Sequence, residues 1–378
     1  MGKGVYLGVS NTAKKIKKIY IGVNGVAKKV KKIYIGDSNG VARVGYTSNL
    51  KLSYCDTKYL VSSRSSLGAT SIGDYALFAG GYDGSTTSEC IDYFNNSLSQ
   101  GYMSISQQRT NIAGASSKSY ALLAGGGVSG TPYTNIDVYS ASLTHSTTHL
   151  GAGRISTVGV GTPDLVIFAG GQYTAQGARY SVDYTDAFND SLTSLAISAL
   201  SKGRTEHTGA YAGQGDYFLF GGGLTSTTNK AIDSVEVYSS SLTKLSSIYL
   251  SSSRKNLDAS SLRGCAWFGG GRYTNGTTVS TIDMFNGSLV RTTLSLSESR
   301  YALKACSVMD EFILFGGGSK SNGYSATMDT YDSSGTMTTF ILASPRNIGG
   351  ATSVKNKALF AGGYSGSYEN IVNVYMAS

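Results

Sequence analysis

The sequence has few of the residues that most catalytic and metal-binding sites use. Its 378 residues include 3 His, 4 Cys, 1 Trp and 3 Pro, and only 15% are charged. No stretch approaches 18 consecutive apolar residues, which argues against a membrane-spanning helix. The first nine residues contain a short apolar stretch without a small-residue cleavage site, so we expect no secretory signal peptide.

The four cysteines, Cys55, Cys90, Cys265 and Cys306, show neither a CxxC pair nor a regular spacing. Each lies in a strand-like segment, where a cysteine behaves as a small buried hydrophobic residue. The sequence therefore predicts free thiols, as expected for assembly in a reducing cytoplasm.

Catalytic motifs are also missing. There is no Gly-x-Ser-x-Gly elbow, no P-loop, and no Gly-x-Gly-x-x-Gly that follows a strand and opens a helix. His145 and His149 lie four residues apart, on one face of a predicted outer strand. A metal ion bound by both histidines is therefore one interpretation. No acid or cysteine stands beside them, so solvated side chains are the preferred interpretation. We expect a protein without enzymatic activity, cofactor or metal.

Glycine and tyrosine are abundant, at 49 and 27 residues, in a chain rich in Ser and Thr, which indicates strands and turns. Charge is divided unevenly along the chain. Residues 1–46 contain ten of the 32 Lys and Arg and one of the 23 Asp and Glu, which leaves 22 of each sign in the other 332 residues. The large C-terminal part has no net charge to attract phosphate, which argues against a nucleic-acid partner.

One block recurs seven times: an Arg, a stretch of small residues, an apolar run ending in Gly-Gly, a variable loop, and a strand that resembles Ile-Asp-Tyr-Phe. Seven units of this size predict an all-β fold of seven four-stranded propeller blades. The arginines are 45 to 50 residues apart, at Arg64, Arg109, Arg154, Arg204, Arg254, Arg300 and Arg346.

The ends of the chain predict how the ring closes. The seventh unit stops after its third strand, at residues 371–375, and residues 48–64 match the missing fourth strand. We expect the N-terminal strand to complete the seventh blade, because closure removes an exposed sheet edge. The predicted organisation is a propeller at 47–378, preceded by a separate module at 1–46.

These repeats resemble those of kelch-repeat β-propellers, in which an apolar strand ends in Gly-Gly, a Tyr follows on the next strand, and an Arg precedes the next blade. The resemblance covers residues 48–378. It departs from the kelch pattern because no blade carries the Trp that follows the Tyr, and Trp267 lies in a second strand instead. The resemblance implies a seven-bladed kelch-like propeller.

The repeat arginines keep the sevenfold pattern, whereas a binding site is expected to break it. Carboxylates buried between packed blades need a charged or donor partner. We therefore predict internal clamps, with an anion-binding ring of cations as the alternative. The predicted partners on the third strands are Asp92, Asp137, Asp183, Glu236, Asp283, Asp329 and Asn373.

The loops after Gly-Gly do break the symmetry. They are rich in Tyr, Ser, Gly and Asn, which binding loops favour, although turns in general also favour Ser, Gly and Asn. In up-and-down blades all seven loops emerge on one face, and a neutral, Tyr-rich face suits sugar rings. The candidate ligand-binding residues are Tyr82, Tyr133, Tyr173, Asn229, Arg272, Tyr273, Asn275, Tyr324, Tyr364 and Tyr368.

Residues 1–46 have a shorter repeat, because residues 13–23 recur as 27–37. Asn24-Gly25 and Asn39-Gly40 are strong two-residue hairpin signals, so we expect a small antiparallel meander. Its core is too small to be stable alone, which favours docking to a partner or self-association. A solvated sheet, and binding to nucleic acid or an anionic surface, stay open. The candidate docking residues are Lys14, Lys15, Lys17, Lys18, Lys28, Lys29, Lys31 and Lys32.

Residues 19–32 are similar to short repeats in tail-associated proteins of phages and prophages of Gram-positive bacteria. This resemblance implies a receptor-binding protein that is assembled in the bacterial cytoplasm and carried on the virion. Its propeller would contact a bacterial surface glycan or protein, and its N-terminal repeats would dock to other tail proteins or to further copies, without membrane insertion. Two other classes stay open: a kelch-type carbohydrate enzyme such as a sugar epimerase or oxidase, and an intracellular scaffold that binds a protein.

Overall fold

The computed structural model describes residues 50–175 and 177–378 and, within the first 49 residues, the backbone of six strands. The chain divides into two compact units, residues 1–51 and residues 52–378. The regular elements of these described parts are β-strands. Across the same residues, the structure contains no helix with the length and hydropathy needed to span a membrane.

The N-terminal unit contains three two-stranded antiparallel hairpins. No ladder joins one hairpin to the next among the described strands, so the predicted continuous meander is wrong. Paired lysines in two of these strands disfavour further lateral pairing. The turn residues Asn24, Gly25, Asn39 and Gly40 lie outside the described residues. The hairpins are Tyr6–Val9 with Thr12–Lys15, Tyr20–Val23 with Val26–Lys29, and Lys32–Gly36 with Ala42–Thr47.

Residues 52–378 form seven four-stranded antiparallel sheets arranged as a seven-bladed β-propeller, as the repeats predict. We number the blades along the chain and letter the strands of each blade a to d, from the central axis outwards. The a strands are Gly68–Ile72, Ala113–Ser116, Val158–Gly161, Thr208–Ala212, Asp258–Leu262, Lys304–Val308 and Asn347–Val354. The b strands are Tyr75–Ala79, Tyr120–Ala124, Leu165–Ala169, Tyr217–Gly221, Cys265–Gly269, Phe312–Gly316 and Lys357–Tyr364.

The outer half of each blade consists of strands c and d. The c strands are Cys90–Asn95, Asn135–Ser140, Thr185–Asn189, Ser234–Ser239, Thr281–Phe285, Thr327–Asp332 and Tyr368–Ala377. The d strands are Gln100–Ser104, His145–His149, Ser194–Leu195, Ile248–Tyr249, Arg291–Ser295, Met337–Ile341 and, for blade 7, Leu52–Tyr59.

The antiparallel order gives the propeller two different faces. The loop face contains the b–c loops together with the d–a crossovers that carry the repeat arginines, and the turn face contains the a–b and c–d turns. Short ribbons extend the b–c loops of blades 2, 3, 4 and 6. The ribbons are Gly127–Val128 with Thr131–Pro132, Gln172–Ala175 with Ala178–Ser181, Leu224–Thr225 with Lys230–Ala231, and Ser319–Lys320 with Gly323–Tyr324.

Blade 7 is closed by a strand from the other end of the chain, as predicted. Ile371 pairs with Tyr59, and Ala377 pairs with Leu52. The outer edge of strand c in this blade is therefore covered. The same register places the entry of the chain into the propeller, at Leu52, on the turn face.

The Gly-Gly pairs make the turns that end the b strands. Gly80 and Gly81 both have positive φ, and a Cβ on Gly80 would lie 2.3 Å from the Arg109 carbonyl oxygen, so a side chain does not fit. Blades 4 to 6 have three consecutive glycines, of which the first continues strand b and the next two make the turn.

Backbone hydrogen bonds from these turns link the blades. The N–H of Gly81 donates to the Arg109 carbonyl of blade 2 at 3.0 Å, and the N–H of Gly363 donates to the Arg64 carbonyl of blade 1 at 2.9 Å. Equivalent bonds join every pair of neighbouring blades, so the backbone of the repeat arginines forms a closed ring of contacts.

The predicted free thiols are confirmed, because all four cysteines are unpaired, with Cys306 buried and the other three half-buried. The structure also shows Asx turns between strands c and d, where Asn95, Asn189 and Asn286 each accept a hydrogen bond from the backbone N–H two residues later.

Candidate functional site

The repeat arginines are fully buried and join the middle strands of each blade. Each guanidinium donates to a strand b carbonyl, as Arg300 does to Phe315 at 2.9 Å, and contacts a polar side chain on strand c. Each strand c partner occupies the same register position, opposite the strand b residue that stands two positions before the first turn glycine. The pairs are Arg64–Asp92, Arg109–Asp137, Arg154–Asp186, Arg204–Glu236, Arg254–Asp283, Arg300–Asp329 and Arg346–Asn373.

One predicted partner is wrong. The sequence pairs Arg154 with Asp183, whereas the structure places Asp186 2.6 Å from the Arg154 guanidinium. Asp183 precedes strand c, and Asp186 is the residue that pairs with Phe168 of strand b. The ribbon in the b–c loop of blade 3 delays the start of strand c, so the spacing along the sequence no longer identifies the partner.

Burial lowers the pKa of clamp arginines, because it disfavours the charged form. It lowers the pKa of Arg204 to about 10, although the Glu236 carboxylate opposes the shift. It also lowers the pKa of Arg346 to about 10, and there the opposing carboxylate is that of Glu369, since Asn373 is neutral. All seven arginine side chains are buried and make their contacts inside the propeller, so none of them is exposed to a ligand.

The three histidines have separate structural contacts. His145 stacks on Tyr139, with ring centroids 4.9 Å apart, and its Nε2 lies 2.7 Å from Asp137. His149 lies 3.5 Å from the Thr134 hydroxyl. His207 is buried, and burial lowers its pKa to about 3. No group of three metal-ligating side chains occurs in the described parts of the chain.

The central channel is a cavity of about 330 Å³ lined by three residues from each a strand. The lining consists mostly of Gly, Ala, Ser and Thr, with Val160, Tyr211 and Cys306 as the exceptions. No lining residue is Asp, Glu, His, Lys or Arg. These lining residues offer hydroxyl and backbone groups and no charged side chain. Beyond them, at the start of the blade 5 a strand, the Asp258 carboxylate accepts hydrogen bonds from the Thr208 hydroxyl and the Ala305 N–H of the two neighbouring a strands.

Four candidate tyrosines meet on the loop face and form a continuous aromatic surface, which we call the tyrosine cluster: Tyr82, Tyr324, Tyr364 and Tyr368. Tyr324 and Tyr364 have ring centroids 6.1 Å apart, Tyr364 and Tyr368 are 5.1 Å apart, and Tyr368 and Tyr82 are 5.7 Å apart. All three contacts are edge-to-face, the arrangement that aromatic quadrupoles favour. The cluster spans blades 6, 7 and 1, and each of its side chains is half-buried.

The local backbone holds the cluster in place. Strands b and c of blade 7 continue past a β-bulge onto the loop face, where Tyr364 pairs with Tyr368. The Tyr82 hydroxyl donates to the Gly84 carbonyl at 2.7 Å. A Cβ on Gly84 would lie 2.7 Å from the Tyr368 ring, so the glycine lets the blade 1 loop approach that ring.

The other candidate residues lie apart from the cluster. Tyr173 stacks on Tyr180 in the blade 3 ribbon, with centroids 5.3 Å apart. Arg272 lies 4.2 Å above the ring of Tyr301. Tyr133 is half-buried, whereas the exposed residues include Tyr273, Asn229, which has positive φ, and Asn275, which caps a turn through the Thr277 N–H.

Sequence reasoning missed Tyr180 and Tyr301. Tyr180 could have been found from the loop itself, because a hairpin across residues 172–181 brings it opposite Tyr173. Tyr301 follows a repeat arginine and carries no such signal. Of the docking candidates, Lys14, Lys15, Lys28, Lys29 and Lys32 lie in strands whose side chains are not described, and Lys17, Lys18 and Lys31 lie outside the described residues.

Comparison with known protein families gives no matching family model, and comparison with curated proteins gives no match either.

Proposed function

We propose that this protein is a non-enzymatic recognition protein whose loop face binds a glycan on a bacterial surface. In the most specific form of the proposal, it is a tail-associated receptor-binding protein of a phage or prophage, and residues 1–46 dock it to other tail proteins or to further copies. The resemblance of the repeats to kelch propellers and of residues 19–32 to tail repeats supports this form.

The observation that carries the proposal is the tyrosine cluster. Four rings from three blades create an aromatic surface on a face whose other loops supply hydroxyl and amide groups. Tyrosine provides a large amphipathic contact at low entropic cost, and sugar rings stack their C–H faces on such side chains while their hydroxyls bond to polar neighbours. The cluster also breaks the sevenfold symmetry, as expected of a binding site.

Two further features agree with this proposal. The runner-up function, a carbohydrate enzyme, is expected to place acids, His or Arg at the central channel, and the lining residues contain none of these. The chain enters the propeller at the turn face, at Leu52. The tyrosine cluster lies on the other face of the propeller, the loop face. If several copies are attached to one particle, weak single sites gain by multivalency.

The test compares the full-length protein with a variant that combines Tyr364→Ala and Tyr368→Ala. Binding of labelled protein to a panel of Gram-positive cells is measured at low and high salt, with cell-wall polysaccharide as competitor. Salt is varied because the lysines of residues 1–46 can bind any anionic envelope, and that attraction is screened. We expect binding that survives high salt, is removed by polysaccharide, and falls roughly tenfold or more in the variant.

The matched control is Tyr102→Ala, which removes a tyrosine that is 73% exposed on strand d of blade 1, away from the loop face. Equal losses in the control and the double variant would overturn the assignment of the cluster. Binding that disappears at high salt in every protein would point to the basic repeats alone. Co-purification of a cytosolic protein with the full-length chain, lost in the double variant, would favour the scaffold.

A further inference from the structure

Charge on the loop face is separated by blade. The loop-face segments of blades 7, 1 and 2 contain the acids Asp83, Glu89 and Glu369, and their only cations are buried clamp arginines. The segments of blades 3 to 6 contain exposed or half-buried cations as well as acids. These cations are Arg179, Lys202, Lys230, Lys255, Arg272 and Lys320.

Three tyrosines of the cluster lie in the acidic part of this face. The fourth, Tyr324, lies in the blade 6 ribbon that also contains Lys320, and the Lys320 ammonium is paired with the Glu298 carboxylate at 3.2 Å. Asp83 follows Tyr82 in the same loop, and its charge contributes to raising the pKa of Tyr368, after burial and the neighbouring tyrosines. Glu369 follows Tyr368 and accepts a hydrogen bond from the Ser365 hydroxyl at 2.6 Å. Two cluster tyrosines are thus each followed by a carboxylate.

Asp83 is held in one orientation. Its carboxylate accepts hydrogen bonds from the backbone N–H groups of Ser85 and Thr86, at 2.8 and 2.7 Å, and from both of their hydroxyls. The same bonds hold the pKa of this carboxyl far below its usual range. A fixed negative charge therefore stands beside the aromatic rings at every physiological pH.

Aromatic faces carry negative electrostatic potential and attract organic cations, and a nearby carboxylate strengthens that attraction. We propose that the tyrosine cluster binds an ammonium group carried by the surface glycan, either the primary ammonium of an amino sugar or a quaternary ammonium of the choline type. This inference rests on the proposed function and specifies its ligand.

The experiment titrates the full-length protein with pairs of probes that differ in charge and little in shape. Choline is compared with its neutral isostere 3,3-dimethylbutanol, and glucosamine oligomers are compared with their N-acetylated forms, by NMR at low and high salt. We expect a cation to bind in preference to its neutral counterpart, with an affinity that falls as salt rises. A preference for choline over 3,3-dimethylbutanol would indicate a quaternary ammonium ligand, and a preference for glucosamine oligomers over their N-acetylated forms would indicate an amino sugar.

Two variants test whether the preference for the cationic probe depends on the tyrosine cluster and Asp83. Asp83→Asn keeps a side-chain oxygen for the Ser85 and Thr86 N–H groups and removes the charge, so it should lower the preference roughly two- to fivefold. Tyr368→Leu should abolish it. The control, Asp233→Asn, removes an acid from the loop face of blade 4 and should leave the preference unchanged.

Equal binding of charged and neutral probes, or no binding of either cation in the millimolar range, would overturn the inference. Cluster-dependent binding of cells or polysaccharide would then leave the proposed function standing, with a neutral glycan as ligand. If cell binding does not depend on Tyr364 and Tyr368, the proposed function itself fails.

Discussion

Blade 7 and the other six blades have the same strand order but differ in composition. Blades 1 to 6 are continuous stretches of chain with a carboxylate against each repeat arginine, whereas blade 7 combines the two ends of the propeller and has the neutral Asn373. Blade 7 also contributes two rings of the tyrosine cluster. The blade that closes the ring is therefore also the blade that departs most from the repeat.

A single side chain accounts for part of this difference. In blades 1 to 6, the second residue after the repeat arginine has positive φ, between 53° and 56°, at Ser66, Asn111, Ser156, Glu206, Asn256 and Ala302. Blade 7 has Ile348 there, and a β-branched residue strongly disfavours that conformation. The chain instead continues as strand, from Asn347 to Val354, and pairs as far as Tyr364. In the other blades the residue after the repeat arginine also pairs on the loop face, but as an isolated bridge such as Ser65 with Tyr82. The steric rule therefore makes the pairing of strands a and b continuous in blade 7.

The largest effect is expected from removing the closing strand. Deletion of residues 1–60 removes strand d of blade 7 and Leu60, a core residue that is 2% exposed. The unfolding free energy should fall by more than the roughly 2–5 kcal/mol of one buried leucine. Denaturant unfolding followed by Trp267 fluorescence measures this loss from blade 5. Deletion of residues 1–49 is the control and should unfold like the full chain; an equal loss there would contradict the closure argument.

The second prediction compares two clamps. Arg64→Ala leaves the fully buried Asp92 carboxylate without a cation, which should lower the unfolding free energy by roughly 3–5 kcal/mol. Arg346→Ala leaves the neutral Asn373 and a Glu369 carboxylate that is only half-buried, and should lower it by only about 1–3 kcal/mol. Denaturation midpoints of the two variants test this order. Equal losses would show that packing, and not charge, determines the contribution of these arginines.

The third prediction concerns blade 4, which departs from the repeat at a core position. His207 stands where other blades have Leu67, Leu257 and Leu303, and its Nδ1 has no hydrogen-bond partner. Its pKa is about 3 in the folded protein against 6.5 ordinarily, so between these values the unfolded chain binds the extra proton and stability falls as the pH is lowered. From pH 6.5 to about 4.5, this contribution should be roughly 2–3 kcal/mol.

The comparison protein for this prediction is His207→Leu. Acid titration of the carboxylates affects both proteins, so the difference between their unfolding free energies should isolate the histidine. The variant's advantage should grow as the pH falls below 6.5. A constant difference across this range would mean that His207 keeps an ordinary pKa.

The smallest effect is expected from restoring the repeat in blade 7. Asn373→Asp gives Arg346 a carboxylate and removes the Asn373 Nδ2, a buried donor without a partner. The unfolding free energy should rise by about 1 kcal/mol. Asn373→Ala serves as the control that removes the donor without adding charge. A destabilised Asp variant would indicate that Glu369 already balances the charge of Arg346.

Much of the fold was predictable because the same sequence block, with the same structural residues, occurs seven times. The Gly-Gly turns, the buried arginines and the closing strand all follow from residue types that few other positions accept. The partner of Arg154 was not predictable by counting residues, because register and not spacing selects Asp186. The tyrosines could be named, but their contacts could not, since loops from three blades meet only after the ring has formed. The separation of residues 6–47 into three hairpins was not predictable either, because it depends on which strands pair, and short repeats do not specify that.

Closure by strand d has a mechanical consequence. A force between the chain before Leu52 and a ligand on the loop face acts along the Leu52–Tyr59 strand. It therefore loads all the hydrogen bonds between this strand and strand c in shear at the same time, and does not peel them apart one by one. Resistance to forced unfolding depends on the rate of unfolding and not on equilibrium stability. The blade through which the chain enters the propeller is thus loaded in the direction in which a sheet yields most slowly.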